Sequence, residues 1–365
     1  KRSPHISDLE ESVGRRESAG FPNQLRLSCI SGSVDAPCVI RELLRQRLIP
    51  SRSSTAVSTK GLIIMPLPMR VGLGQFNELT AEMCQFIKQM GCDDFLMNTP
   101  NLPAQEGHWK VEDLAALKAQ ADGHDLRLMA LENVPIPFYL DIMLGGSQRE
   151  AQLANMMTTV RNMGQVGIPI LGYHWIPVGV WRTQEPATLR GGARGTRFEL
   201  EAHCDAPLNF DRLYTAEEMW DNYCWYLERL LPVAEAAKVR LALHPDDPPV
   251  PSLGGVARLF GTFEGFRRAM DTFDSPYHGL DFCMGCWSEM GGHDNVMQGL
   301  EYFVPNGKIV YIHFRDVRGT RESFHECFID EGQVDTFAVI ERLRQLGFDG
   351  FMIPDHVPAT VGDSP

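Results

Sequence analysis

Four side chains that can donate an electron pair recur at even distances in the second half of this 365-residue chain: His244, Cys283, His313 and Asp355. The steps between them are 39, 30 and 42 residues, each about the length of one strand, one helix and their connections. Imidazole, thiolate, imidazole and carboxylate are all metal ligands, and together they would neutralise most of a divalent cation's charge. A thiolate with two imidazoles argues against magnesium or calcium, which prefer oxygen, and toward manganese, iron, cobalt or zinc. Four protein ligands close a tetrahedral structural zinc site but leave two positions open on an octahedral metal, and catalysis needs open positions.

The residues beside these four extend the chemistry. His244 opens His-Pro-Asp-Asp-Pro-Pro, in which Asp246 and Asp247 can accept hydrogen bonds from ring nitrogens or substrate hydroxyls, or can be acids of a Pro-rich turn. His313 leads His-Phe-Arg-Asp-Val, and alternation along an extended strand end puts Arg315 on the inward face with His313, where it can hold a carboxylate. His356 directly follows Asp355 and is the candidate proton shuttle, because imidazole gains and loses a proton near neutral pH. His325 and Glu326, in Ser-Phe-His-Glu, are weaker candidates that order the loop after the seventh strand.

These residues need elements that bring them together. From residue 69 onward, short apolar runs at 70–73, 94–97, 127–131, 169–173, 240–243, 279–282, 308–312 and 350–353 alternate with amphipathic stretches. Leu153, Met156, Val160 and Met163 step at helical intervals, and Thr215 with Glu218 forms a capping-box pattern ahead of Met219 and Tyr223. Strands separated by helices are parallel with right-handed crossovers, and eight of them close a (β/α)8 TIM barrel whose active site collects at the carboxyl ends of the strands. An open doubly wound sheet would want a Gly-rich phosphate turn after its first strand, and Gly72-Leu73-Gly74 lacks the third glycine. The fourth and fifth strands lie about seventy residues apart, so a lid-like insertion runs over about 176–214. It carries Arg182, Arg190, Arg194 and Arg197, either solvated loop charges or a clamp for an anionic substrate.

Composition narrows the class. The formal charge of −13 disfavours nucleic acid as a partner, because affinity for phosphates needs a basic face. The chain has no run of eighteen apolar residues that would span a bilayer. Nine cysteines without a repeating spacing suggest reduced thiols in a cytoplasmic protein with a small-molecule partner. Residues 1–64 differ from the rest, with ten basic against six acidic side chains and eleven serines against six in the 301 residues that follow. They read as an upstream or appended segment without a fold of its own, leaving 65–365 as the catalytic domain and Met65 or Met69 as a plausible start.

Taken together, His-Pro-Asp-Asp-Pro-Pro at 244–249, His-Phe-Arg-Asp-Val at 313–317, Ser-Phe-His-Glu at 323–326 and Pro-Asp-His at 354–356 resemble the mannonate dehydratase family. The stretch Tyr-His-Trp-Ile-Pro-Val-Gly-Val-Trp-Arg-Thr at 173–183, with His174 and Arg182, is similar to that family's motif after the fourth strand. The resemblance spans about 69–365. It implies a xylose isomerase-like TIM barrel, a manganese-type metal with iron, cobalt or zinc as alternatives, and conversion of D-mannonate to 2-keto-3-deoxy-D-gluconate and water in hexuronate breakdown. It also implies that His244, Cys283, His313 and Asp355 hold the metal. His356, Asp247 and Arg315 then become catalytic candidates, and Arg182, His174, Asp246 and His325 substrate-binding ones. The alternatives are a metal-dependent sugar isomerase or epimerase on the same barrel, or an inactive truncated barrel; a homo-oligomer is compatible with either. Two departures accompany the resemblance. Cys283 sits in Cys-Met-Gly-Cys where better-known members have a Cys-Thr-Gly-Ser-like turn, which leaves Cys286 as an additional thiol. The ten residues after Asp355 leave no room for the last outer helix or for the family's catalytic tyrosine, so a barrel truncated after its eighth strand is expected.

Overall fold

The computed structural model describes residues 69–363; the expectations for 1–64 and for a start at Met65 lie outside the described residues. In chain order the strands are β1 Arg70–Phe76, β2 Asp94–Asn98, β3 Arg127–Glu132, β4 Ile170–Tyr173, β5 Thr183–Thr188, β6 Arg194–Glu199, β7 Arg240–Leu243, β8 Ser252–Leu253, β9 Val256–Ala257, β10 His278–Cys283, β11 Ile309–His313, β12 Asp316–Thr320, β13 Ser323–Cys327 and β14 Phe351–Ile353. Eight of them close a barrel in the order β1-β14-β11-β10-β7-β4-β3-β2, with parallel pairing throughout. These are the eight expected strands, with ends shifted by up to three residues.

The period of two along each strand separates two cores. Leu241 and Leu243 of β7 face the outer helices, whereas Ala242 joins Leu96, Ala130, Ile170, Tyr311 and Phe351 inside the barrel. On the outside, Leu153, Met156, Val160 and Met163 of the helix Arg149–Val166 are all buried, as their spacing requires. The helix Ala216–Ala237 starts with the expected capping box, Thr215 and Glu218 each satisfying the other's backbone N–H. A helix follows each of the first seven barrel strands, and none follows β14 among the described residues. Among those residues no helix is long and apolar enough to cross a membrane.

The long connection after β4 is more ordered than a loop. Its hairpin β5–β6 pairs with the hairpin β12–β13 that leaves β11, in the antiparallel order β12-β13-β6-β5. Phe198, Phe324 and Val317 form a small core for this sheet with Val250 and Leu253. Both hairpins leave the carboxyl ends of barrel strands, so the sheet stands at the face where the barrel's polar residues collect.

Candidate metal centre

The four expected donors arrive from successive barrel strands. His244 follows β7, Cys283 ends β10, His313 ends β11, and Asp355 lies two residues beyond β14. Register aligns Cys283 with His313 and His313 with Ile353. Their donor atoms fall into overlapping groups in which every pair lies within 4.8 Å: His244 with Cys283 and Cys286, His244 with Asp281 and His313, and Cys283 with His313 and Asp355. The His244 and His313 rings are 5.2 Å apart at their centroids.

Each imidazole has one nitrogen committed and one left over. His244 Nδ1 lies 2.7 Å from the Pro245 carbonyl oxygen, which can only accept, so that nitrogen carries a hydrogen and Nε2 is the one left to ligate once its own proton is given up. His313 Nε2 lies 2.8 Å from Glu132 Oε2, while its Nδ1 is buried without a hydrogen-bond partner. A carboxylate gripping one ring nitrogen while the other faces a sulfur and a second carboxylate is the arrangement that orients a ligating histidine. Asp281 Oδ1 and Oδ2 are also buried without hydrogen bonds. Two imidazoles, a thiolate and a carboxylate fit a borderline divalent cation, and do not fit an all-oxygen magnesium or calcium cage.

Charge inside the site is dense and mutually dependent. Burial opposes ionisation of the Cys283 thiol, but the Cys286 hydrogen bond, the Arg315 guanidinium and the two imidazoles hold it well below the usual thiol range. Burial also opposes a charged His244, yet the Asp281 and Cys283 anions push it up to about 9. Burial raises Asp281 to about 8 against the pull of His313 and His244, with Glu132 adding to the rise.

Arg315 is the hub of a second layer. Its guanidinium donates to Cys283 Sγ at 3.2 Å, Cys286 Sγ at 3.1 Å, Glu326 at 2.6 Å, Asp247 at 2.9 Å and Glu289 at 3.2 Å, and lies 3.1 Å from Asp355. Arg182 grips Asp247 with two bonds, 2.6 and 2.8 Å, and Glu326 with a third at 3.0 Å. Burial works against Asp247 ionising, but the two guanidinium groups outweigh it and hold the carboxyl well below its ordinary range. Asp247 is thereby a fixed anion that positions both arginines. Arg182 keeps 14% of its side chain exposed and Arg315 2%.

The other candidates divide. His356 stays open to solvent, 31% exposed, with Nε2 3.7 Å from Asp355 and Nδ1 3.9 Å from Glu326. Its φ of +44° holds it in the left-handed region, which side chains other than glycine seldom adopt. His174 follows β4 beside Tyr139, 3.2 Å from its hydroxyl, and burial, aided by His244 and Arg258, lowers it to about 3, so it is a neutral imidazole. Asp246 is drawn away from the four donors, accepting from the Phe260 N–H at 2.6 Å and facing Arg258 at 3.6 Å. His325 is turned away as well. On β13 the side chains alternate, and Phe324 and Glu326 take the face toward Arg182, which leaves His325 on the other, partly exposed side. Arg190 reaches Asp330 at an exposed position and plays no part in the centre.

Three groups of this site went unread in the sequence: Glu132, Asp281 and Glu289. Glu132 closes an apolar strand with a polar residue, the same signal that marks His244 and His313. Asp281 stands two before Cys283 and so shares its inward face, and Glu289 stands one helical step beyond Cys286.

Comparison with known proteins places the chain in a family. Residues 75–213 and 207–365 match the family model described as D-mannonate dehydratase (UxuA). The mannonate dehydratase of Thermotoga petrophila is 30% identical over 285 residues, which cover 68% of this chain and 78% of that protein. The crystal structure of mannonate dehydratase from Streptococcus suis serotype 2 superimposes with a TM-score of 0.69 at 25% identity, covering 80% of this chain and 86% of that one. A xylose isomerase domain protein from Planctomyces limnophilus shares the fold, at a TM-score of 0.51 and 13% identity over 79% of this chain and 89% of that one.

Proposed function

The chain belongs to the D-mannonate dehydratase family and dehydrates D-mannonate, and we propose that it does so at the centre framed by His244, Cys283, His313 and Asp355, with a manganese-type divalent cation held there. Iron, cobalt and zinc are the alternatives that the same donors admit. The observation that carries this reading is the pair of imidazoles, His244 anchored by a carbonyl oxygen and His313 by a carboxylate, that share the Cys283 sulfur as a near neighbour, with Asp355 beside His313. A cation bound there would supply Lewis-acid stabilisation of the negative charge that develops next to the substrate's carboxylate.

The protein's own groups do the rest. Dehydration removes the proton beside the carboxylate and expels the neighbouring hydroxyl as water, which needs one base and one acid. His356, the most open titratable group at the centre, moves one of these protons. Arg182 has more free surface than Arg315 and is the better partner for the aldonate carboxylate. Arg315 keeps the Cys283 sulfur anionic, Glu132 orients His313, and Asp247 holds the two guanidinium groups apart in fixed positions. We place the step in the cytoplasm, in hexuronate breakdown.

The test is incubation of the purified chain with D-mannonate, after metal removal and again after manganese is restored. A keto-deoxy acid that reacts with semicarbazide should appear only in the restored sample. Turnover of another aldonate or of an aldose, with none of D-mannonate, would overturn the assignment, and an isomerised product without loss of water would favour an isomerase.

A further inference from the structure

Cys286 takes no part in the reaction above, yet it is bound into the centre. It follows Cys283 by one helical step, because β10 passes into the helix Met284–Phe303 without a loop. The two sulfurs and a His244 nitrogen lie within 4.8 Å of one another. One planar guanidinium spans both sulfurs, Arg315 Nε on Cys283 and Nη2 on Cys286, at 3.2 and 3.1 Å. Gly285 between them makes this possible, since a Cβ there would stand 2.6 Å from Arg315 Cζ.

Two uses of such a pair compete. As a second sulfur ligand, Cys286 would have to join His313 and Asp355. Its groups contain neither, and its other neighbours are Asp247 and Glu289. We propose that Cys283 and Cys286 are a dithiol that hydrogen peroxide closes to a disulfide, withdrawing Cys283 from the metal centre. Both sulfurs are buried, which favours a small oxidant over exchange with a protein disulfide.

The chemistry balances in two steps. The Cys283 thiolate attacks one peroxide oxygen, the O–O bond breaks, and hydroxide departs and takes up the proton the thiol had lost. The Cys286 sulfur then attacks the Cys283 sulfenic sulfur, the S–S bond forms, the S–O bond breaks, and the Cys286 proton leaves with the oxygen as water. Two thiols are oxidised by two electrons, and one peroxide is reduced to two waters. The disulfide stands on the sulfur geometry alone; its effect on the metal rests on Cys283 being a ligand.

The test treats the reduced full chain, with and without manganese, with hydrogen peroxide, then maps peptides by mass and measures retained manganese. A Cys283–Cys286 cross-link lacking two hydrogens and reversed by dithiothreitol is expected, with manganese lost in step. In C286S and C286A, Cys283 should instead oxidise past the sulfenic acid and resist dithiothreitol. Oxidation of Cys283 beyond sulfenic acid in the natural chain while Cys286 stays a free thiol overturns the dithiol. So does a cobalt-loaded protein whose thiolate-to-cobalt absorption falls by about half in C286S, because Cys286 is then a second ligand. A cross-link that forms with manganese retained overturns the role of Cys283 as ligand and leaves the dithiol standing.

Discussion

The two halves of the barrel rim are built from the same repeat and do opposite things. On the first half, Gln75, Asn98 and Glu132 hydrogen-bond to one another, so their polar atoms are largely spent on the protein itself. On the second half, His313 and Asp281 keep buried atoms without partners, and Cys283 meets the Arg315 cation, the Cys286 sulfur, the two imidazoles and the Asp355 carboxylate. Glu132 links the halves, meeting His313 at 2.8 Å and accepting from the Tyr311 hydroxyl at 3.3 Å. A strand-end polar residue is thus not a ligand by position alone. What separates a positioning residue from a donor is whether the neighbouring strands already satisfy it.

Changes on the donor half should hurt most. Cys283→Ala or His313→Ala is expected to abolish manganese retention and lower kcat/KM for D-mannonate about a thousandfold, the scale of several kcal/mol of lost charge stabilisation; metal content by mass spectrometry and initial rates read this out. Asp247→Asn breaks a buried network that holds two guanidinium groups and should cost about 3–5 kcal/mol of stability, seen as a lower denaturant midpoint. On the positioning half, Glu132→Gln should weaken manganese binding about 10–100-fold with the fold intact. Equal losses for Glu132→Gln and Cys283→Ala would erase the distinction between the halves. Because the surrounding anions outweigh burial and raise both His244, to about 9, and His313, a cation binding there must expel a proton from each, so manganese affinity should fall by about tenfold or more per unit as pH drops below that range. Metal titrations across pH check this, and a flat profile would mean His244 does not bind. Asn98→Ala, two hydrogen bonds removed from the donors, should change affinity by only about threefold.

Much of this was legible in the sequence because the barrel writes the same message eight times. Runs such as Arg-Leu-Ala-Leu and Ile-Val-Tyr-Ile-His are short, apolar and bounded, and a polar residue at the end of such a run faces the mouth. The partners of those residues were harder to read. Nothing in Thr-Gln-Glu-Pro-Ala-Thr resembles a strand by alternation; its pairing depends on Arg194–Glu199, whose own pairing depends on a distant hairpin. The choice between His325 and Glu326 turned on that same register, which fixes the face each takes. Asp281 was hidden by its surroundings, an ionisable group inside Gly-Leu-Asp-Phe-Cys whose favourable partners, His313 and His244, lie on β11 and just after β7. The sequence suggested a clamp for substrate in the insertion's arginines but not what holds it: Arg182, like Arg315 outside the insertion, is fixed by Asp247 and Glu326 from within the chain.

The sheet at the mouth joins Phe198 to Phe324 and Arg197 to His325, segments that emerge far apart during synthesis. Early strands can pair as they leave the ribosome, but the frame that places Arg182 against Glu326 waits for nearly the whole chain. A partly made polypeptide therefore has its imidazoles and thiols before it has the wall that closes over them, and the mouth is completed last.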